Sequence, residues 1–274
     1  MAGTGRYPGI IRTIKAGTIS VAYFDAGDGP PLVLINWFAS TMDMWNPPVI
    51  SALAGHFRVV IFDNRGTGYS SSTDEPFSIP LFARDTAALM DALGIPDAHI
   101  LGLSMGASIA LELVLSKPEL VRKMILVSGH CGGREAVQIQ PEVWADLSDK
   151  TGTPDEIAGR MFSLLFPPQW LATHDPWKYC PEVTETTSEE VAARQAEAFR
   201  SWPGCCGRLA EIRAPALIVT GTNDRVIPPE NSDILGRRIP GARVVPFYSA
   251  GNGLMYQYPE EFAGAVISFL EQTG

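Results

Sequence analysis

Gly102-Leu103-Ser104-Met105-Gly106 follows the apolar run His99-Ile100-Leu101 and runs straight into the small-residue segment Ala107-Ser108-Ile109-Ala110. A short run that is apolar throughout suits a strand buried on both faces, and small residues at its exit suit a helix packed closely against it. A serine on so sharp a strand-to-helix turn takes a strained backbone. The glycines two residues to either side relieve the crowding and leave Oγ exposed at the carboxyl end of the sheet. That turn also aims the Met105 amide at a reacting oxygen, and the helix N-terminus adds partial positive charge there.

Working outward, Leu32 to Ile35, Arg58 to Phe62, Met124 to Val127 and Leu217 to Val219 are further apolar runs of strand length. They alternate with helical periodicity over Pro80 to Leu93 and Met105 to Ser116, the second stopped by Lys117-Pro118. The pattern is that of an α/β protein with a mostly parallel central sheet flanked by helices. Ile10 to Lys15 and Thr18 to Phe24 read as a preceding hairpin turned at Ala16-Gly17. Strand signals return at Ala214 and Arg243, and Pro259 opens a last helix with Phe262, Val266, Phe269 and Leu270 inward.

Between residues 132 and 207 the strand signal fades, and four of the six tryptophans fall there. This predicts a helical cap (132–207) inserted after the sixth strand into a discontinuous core (1–131 and 208–274). Thr153-Pro154-Asp155-Glu156 has the form of a capping box, with Ile157, Met161, Leu164 and Leu165 on one apolar face. A second cap helix is expected over Glu189 to Trp202, with Ala192, Ala196 and Phe199 on one side.

The chain has 274 residues, 46% apolar and 19% charged, with a mean hydropathy near zero, which excludes disordered and fibrous classes. Its 21 basic against 30 acidic residues give a net charge of −9, which repels nucleic acid and anionic lipid and leaves small molecules as partners. The N-terminal residues lack the apolar stretch of a signal peptide, and no run is apolar enough to span a bilayer, so a cytoplasmic protein is expected. A homo-oligomer is compatible with this sequence. Cys131, Cys180, Cys205 and Cys206 follow no metal or disulfide spacing and read as idle thiols. No cofactor or metal is expected: no phosphate loop follows a strand, and no histidine–carboxylate cluster has ligand spacing.

Asp63-Asn64-Arg65-Gly66-Thr67-Gly68-Tyr69-Ser70, the Gly102–Gly106 turn and Gly221-Thr222-Asn223-Asp224 occur in the order found in the α/β-hydrolase superfamily, which the chain resembles over nearly its full length. Ser40 to Trp45 and Gly253 to Phe262 resemble its smaller esterase-like members. The resemblance implies an α/β-hydrolase fold, with Ser104 as nucleophile, Asp224 as the carboxylate that orients the base, and the amides of Phe38 and Met105 as the oxyanion hole. Without it, Asp224 reads equally well as a turn aspartate.

Two positions depart from the family pattern. Ala250-Gly251-Asn252-Gly253 carries Asn252 where the resemblance implies the catalytic histidine, and an amide neither accepts a proton near neutral pH nor returns one. Of the four histidines, His56 and His99 fall at the amino end of the sheet and His174 in the cap. His130 alone emerges on the active-site side, either as an alternative base or as a loop histidine bonded to backbone. The second departure is Trp37, on a position where many members have glycine. It swings away, fills part of the pocket, or sits one register off in the core. Trp37, Phe38, Trp144, Phe166 and Trp170 are expected to form an apolar pocket under the cap.

Three functions follow. The first is a serine hydrolase-type enzyme for a small hydrophobic carboxylic ester or lactone, its base missing through engineering or altered chemistry and its hydrolysis correspondingly slow. The second is a cofactor-free lyase or cyclase that uses Ser104 and the oxyanion hole without hydrolysis, and the third is a non-catalytic ligand-binding protein of the same fold.

Overall fold

The protein is described here by a computed structural model covering residues 10–149 and 151–272, so the residues on which the absence of a leader was read lie outside it. The chain runs β1 (Arg12–Ala16), β2 (Ile19–Ala26), β3 (Pro31–Ile35), α1 (Pro47–Ala54), β4 (Arg58–Phe62), α2 (Ile79–Ala92), β5 (Ala98–Leu103), α3 (Met105–Ser116) and β6 (Val121–Val127). Four helices follow, α4 (Pro141–Ser148), α5 (Pro154–Leu165), α6 (Pro168–Leu171) and α7 (Glu189–Arg200). The core resumes with β7 (Ala216–Gly221), α8 (Glu230–Arg238), β8 (Arg243–Phe247), α9 (Leu254–Gln257) and α10 (Pro259–Glu271).

The eight strands form one sheet in the order β1-β2-β4-β3-β5-β6-β7-β8, antiparallel at the β1 and β2 edge and parallel from β4 onward. The apolar runs are continuous because alternate residues feed two separate cores. Val33, Ile35, Val60, Ile100 and Leu126 pack toward α2 and α3, whereas Leu32, Leu34, Ile61, Leu101 and Ile125 pack toward α1 and α10. Both faces are therefore closed to water, and chemistry is left to the loops at the carboxyl edge.

The capping box is present in full: the Thr153 Oγ1 accepts from the Glu156 amide at 3.3 Å, and Glu156 accepts from the Thr153 amide at 2.7 Å. In α7 the buried ridge is Val191, Gln195, Ala198 and Phe199, with Ala192 and Ala196 only half-buried. The inner face is thus rotated from the expected one, because a glutamine with an internal hydrogen-bond partner occupies its centre.

The cysteine expectation is corrected. Cys131, at the exit from β6, and Cys206, just before the return to β7, form a disulfide with Cα atoms 5.0 Å apart, while Cys180 and Cys205 are free. A separation of 75 residues hides this pairing in the sequence, since only the path of the helices between β6 and β7 brings the two ends together. Among the described residues no helix is long and apolar enough to cross a membrane.

Candidate active site

Ser104 links β5 to α3 in a left-handed conformation, φ 53° and ψ −114°, at a cost on the order of 1–3 kcal/mol. Neighbouring backbone over-determines that strain. The Ser104 amide donates to the Val127 carbonyl at 2.8 Å, and its own carbonyl accepts from Ala107 at 2.9 Å. The flanking glycines are dictated by contact: a Cβ on Gly102 would lie 2.2 Å from the Gly106 carbonyl oxygen, and one on Gly106 would lie 2.2 Å from that of Ile35. Any side chain at either position would push α3 away from β3 or β5 and carry Ser104 with it.

Asp224 follows β7 and is fully buried. Its Oδ1 accepts from the amides of Val226 (2.8 Å) and Ile227 (2.9 Å), and its Oδ2 accepts from Asn252 Nδ2 at 2.9 Å. It therefore closes its own turn and holds Asn252 at the same time. Burial raises its pKa to about 6, against the downward pull of the Asn252 and backbone donors, so it is mostly ionised at neutral pH. That charge also fixes which way Asn252 faces. Nδ2 goes to the carboxylate, which leaves the amide carbonyl as the opposite end. The Asn252 loop is wedged against the end of α5, where the Gly253 amide donates to Leu165 at 2.9 Å and a Cβ on Gly251 would lie 2.4 Å from that same carbonyl.

The segment after β3 is held from three sides. Asn36 accepts from Trp45 Nε1 at 2.6 Å through its side chain and from Asn64 Nδ2 at 3.2 Å through its carbonyl. Ser40 donates to the Trp37 carbonyl, and the Ala39 amide donates to Gln195 Oε1 at 2.8 Å. The Asp63–Ser70 motif supports this arrangement. Asp63 accepts from the amides of Met42 and Tyr69, and buried Arg65 makes a two-pronged bond to Asp85 at 2.6 and 2.8 Å. Its residues hold neighbouring loops in place and do not face the cavity.

Ser104 and Asn252 share a partly open cavity of about 250 Å³, just below the roughly 300–1,000 Å³ of drug-sized pockets. Every other lining residue is apolar. Trp37, Phe38, Ala39 and Met44 come from the core, Ile157, Met161, Leu164 and Leu165 from α5, and Trp144 and Phe199 from α4 and α7. Trp37 projects into the lining with its ring edge-on to Trp45, centroids 5.4 Å apart. Phe38 meets Trp144 edge-on at 5.7 Å.

Three expected pocket residues lie elsewhere. Phe166 is fully buried and stacks on Trp170 at 4.5 Å, behind the Asn252 loop, so both support the site without lining it. His130 stacks on Phe199 at 4.8 Å and lines a neighbouring groove, which shares Ile139, Trp144 and Phe199 with the cavity. Its Nδ1 accepts from the Gly132 amide at 3.0 Å, and burial lowers its pKa to about 4. Of the two sequence readings, that of a backbone-bonded loop histidine describes this geometry. His56 pairs with Glu271, and His99 sits at the start of β5. The α5 lining was announced by its amphipathic face. Gln195 has one signal in the sequence, its place as a polar residue four positions from both Val191 and Phe199. Among the described residues no group of three His, Cys, Asp or Glu side chains is arranged to hold a metal ion.

A family model described as alpha/beta hydrolase fold matches residues 30–257. A protein of Azorhizobium caulinodans, provisionally named the carbamate hydrolase RutD, is 29% identical over 256 residues, covering 92% of this chain and 96% of its own. A hydrolase from Pseudomonas aeruginosa PA01 superposes with a TM-score of 0.81 at 29% identity, covering 97% and 100% of the two chains. The enol-lactonase from Burkholderia xenovorans LB400 superposes at 0.80 with 26% identity, covering 95% and 100%.

Proposed function

The chain belongs to the alpha/beta hydrolase fold family, and from that premise we propose that it acts at the carbonyl of a small, neutral, apolar ester or lactone. Ser104 adds its Oγ to the carbonyl carbon, and the amides of Met105 and Phe38 receive the oxyanion. The observation that carries this reading is the placement of the strained Ser104 on an apolar cavity whose one other polar lining residue, Asn252, is held by buried Asp224. The lining offers no charged group to a carboxylate, an ammonium or a carbamate anion, so such substrates enter at the full cost of desolvation. A charged acyl group is therefore not the expected substrate, even though a relative's name speaks of carbamate.

Asn252 stands where the base of a serine hydrolase belongs. Its amide orients but takes no proton, so the proton leaving Ser104 Oγ passes to water or to the leaving group and turnover is slow. The same feature supports a second reading, a lyase or cyclase that polarises a carbonyl without an acyl-enzyme. The test compares hydrolysis of short-chain aryl esters by the parent, by Asn252→His and by Ser104→Ala in each. A gain of about 10³-fold or more in Asn252→His, abolished by Ser104→Ala, supports the hydrolase. No gain, with Ser104 still labelled by an aryl phosphonate, moves the assignment to the second reading. Absence of labelling in every variant refutes both and leaves a binding protein.

A further inference from the structure

The loop proposed to carry the Phe38 amide is fixed by the core at one end and by the cap in the middle. Asn36 is tied to Trp45 and Asn64 of the core, whereas Ala39, at φ 53°, passes its amide to Gln195 Oε1 at 2.8 Å. An alanine in the left-handed region needs outside support, since the conformation costs it about 1–2 kcal/mol. Gln195 is fully buried at the centre of the ridge formed by Val191 and Phe199, four residues before and after it. Its orientation follows from the chemistry, since an N–H has to meet the carbonyl end. Nε2 is left buried with no hydrogen-bond partner among the described residues. A helix packed for stability alone gains nothing from that stranded donor, while the carbonyl end does something an apolar side chain cannot.

We propose that Gln195 is a positioning residue through which cap helix α7 sets the 38–39 peptide, and with it the direction of the Phe38 N–H toward the substrate oxygen. This rests on the hydrolase reading for its chemical consequence. Oxyanion donors act only when aimed at the place where charge develops, so a loop that relaxes by an ångström forfeits much of the donor's effect. Phe38 also packs on Trp144 of α4. The cap therefore has two grips on one loop, and lifting it withdraws the electrophilic side of the site along with the cover.

Gln195→Met keeps length and removes the acceptor, and Gln195→Glu keeps an acceptor oxygen. Both are made in the parent and in the Asn252→His background. In the first, backbone amide hydrogen exchange over residues 37–40 is expected to quicken at least 10-fold in Gln195→Met and to stay near parent rates in Gln195→Glu. In the second, kcat for an aryl ester is expected to fall about 10- to 100-fold in Gln195→Met with KM unchanged, and to recover within a few-fold in Gln195→Glu. Unchanged exchange overturns the clamp. Faster exchange with unchanged kcat overturns the positioning role. Equal losses in both variants, tracking a lowered melting temperature, reduce Gln195 to a packing residue and also overturn it. If Asn252→His proves inert toward esters, the hydrolase reading falls, and the exchange comparison decides the clamp by itself.

Discussion

Replacing Asp224 with Asn tests the electrostatics of the site without reference to any substrate. Burial holds the Asp224 pKa at about 6, against an ordinary value of 3.8. The native state therefore binds this proton more tightly than the unfolded chain. The stability that follows is fully present below pH 3.8 and is lost as pH rises through about 6. Two units of difference correspond to about 3 kcal/mol, of which about 2 to 3 kcal/mol is lost between pH 4 and pH 7.5. Asparagine retains an oxygen for the Val226 and Ile227 amides, and Asn252 can turn its carbonyl toward the new amide, so the hydrogen bonds survive without the charge. The assay is urea unfolding, followed by tryptophan fluorescence at half-unit steps from pH 4 to 7.5. His99 and His130 titrate in the same range with opposite sign, since burial lowers both to about 4, but they are common to the two proteins and cancel in the difference. The variant should gain on the parent by about 2 to 3 kcal/mol across the range. A gap constant to within about 0.5 kcal/mol would refute the buried-carboxylate argument.

Two further outcomes are expected. The Cys131–Cys206 disulfide closes a separation of 75 residues, so Cys131→Ser should lower unfolding free energy by about 4 kcal/mol in urea titrations, and treating the parent with a thiol reductant should bring it to the same value. Glu185, between α6 and α7, is buried beside Asp63. Burial first, then the Asp63 and Asp43 carboxylates, push its pKa up to about 9, so its stabilising proton is lost as pH climbs toward that value. Glu185→Gln should therefore gain on the parent by about 1 kcal/mol between pH 7 and 9.5 after solvent screening is allowed for. Parallel stability curves would show that Glu185 is not the titrating group.

The parts of the molecule governed by local rules were open to reading from the chain. Arg58–Phe62 and Met105–Ser116 have the expected bounds because continuous apolar runs and a terminating Lys117-Pro118 leave no alternative. The turn around Ser104 was legible in part for the same reason, since Gly102 answers a clash with Gly106 only four residues on, whereas Gly106 answers the distant Ile35 carbonyl. What could not be read depends on the path of the chain between β6 and β7. Cys131 meets Cys206, and Gln195 reaches Ala39 across 156 positions, through contacts that no period or spacing encodes. Phe166 and Trp170 back the Asn252 loop instead of lining the cavity, because aromatic content says that a surface is apolar without saying which side of a loop it covers. Asn252 lay on the edge of the legible: the residue can be read, but its Nδ2 faces Asp224 only because a buried carboxylate stands there.

The chain leaves β6 and re-enters the sheet at β7, and these two strands are hydrogen-bonded neighbours. The departure and return points are stapled with their Cα atoms 5.0 Å apart. Such an excursion is topologically a cassette, because a change of length between the two cysteines rethreads no strand of the sheet. The residues that close over the cavity travel with the cassette, whereas the serine, the aspartate and the asparagine stay behind. An exchanged segment has to bring its own partners for the Ala39 and Gly253 amides, which Gln195 and the Leu165 carbonyl supply here.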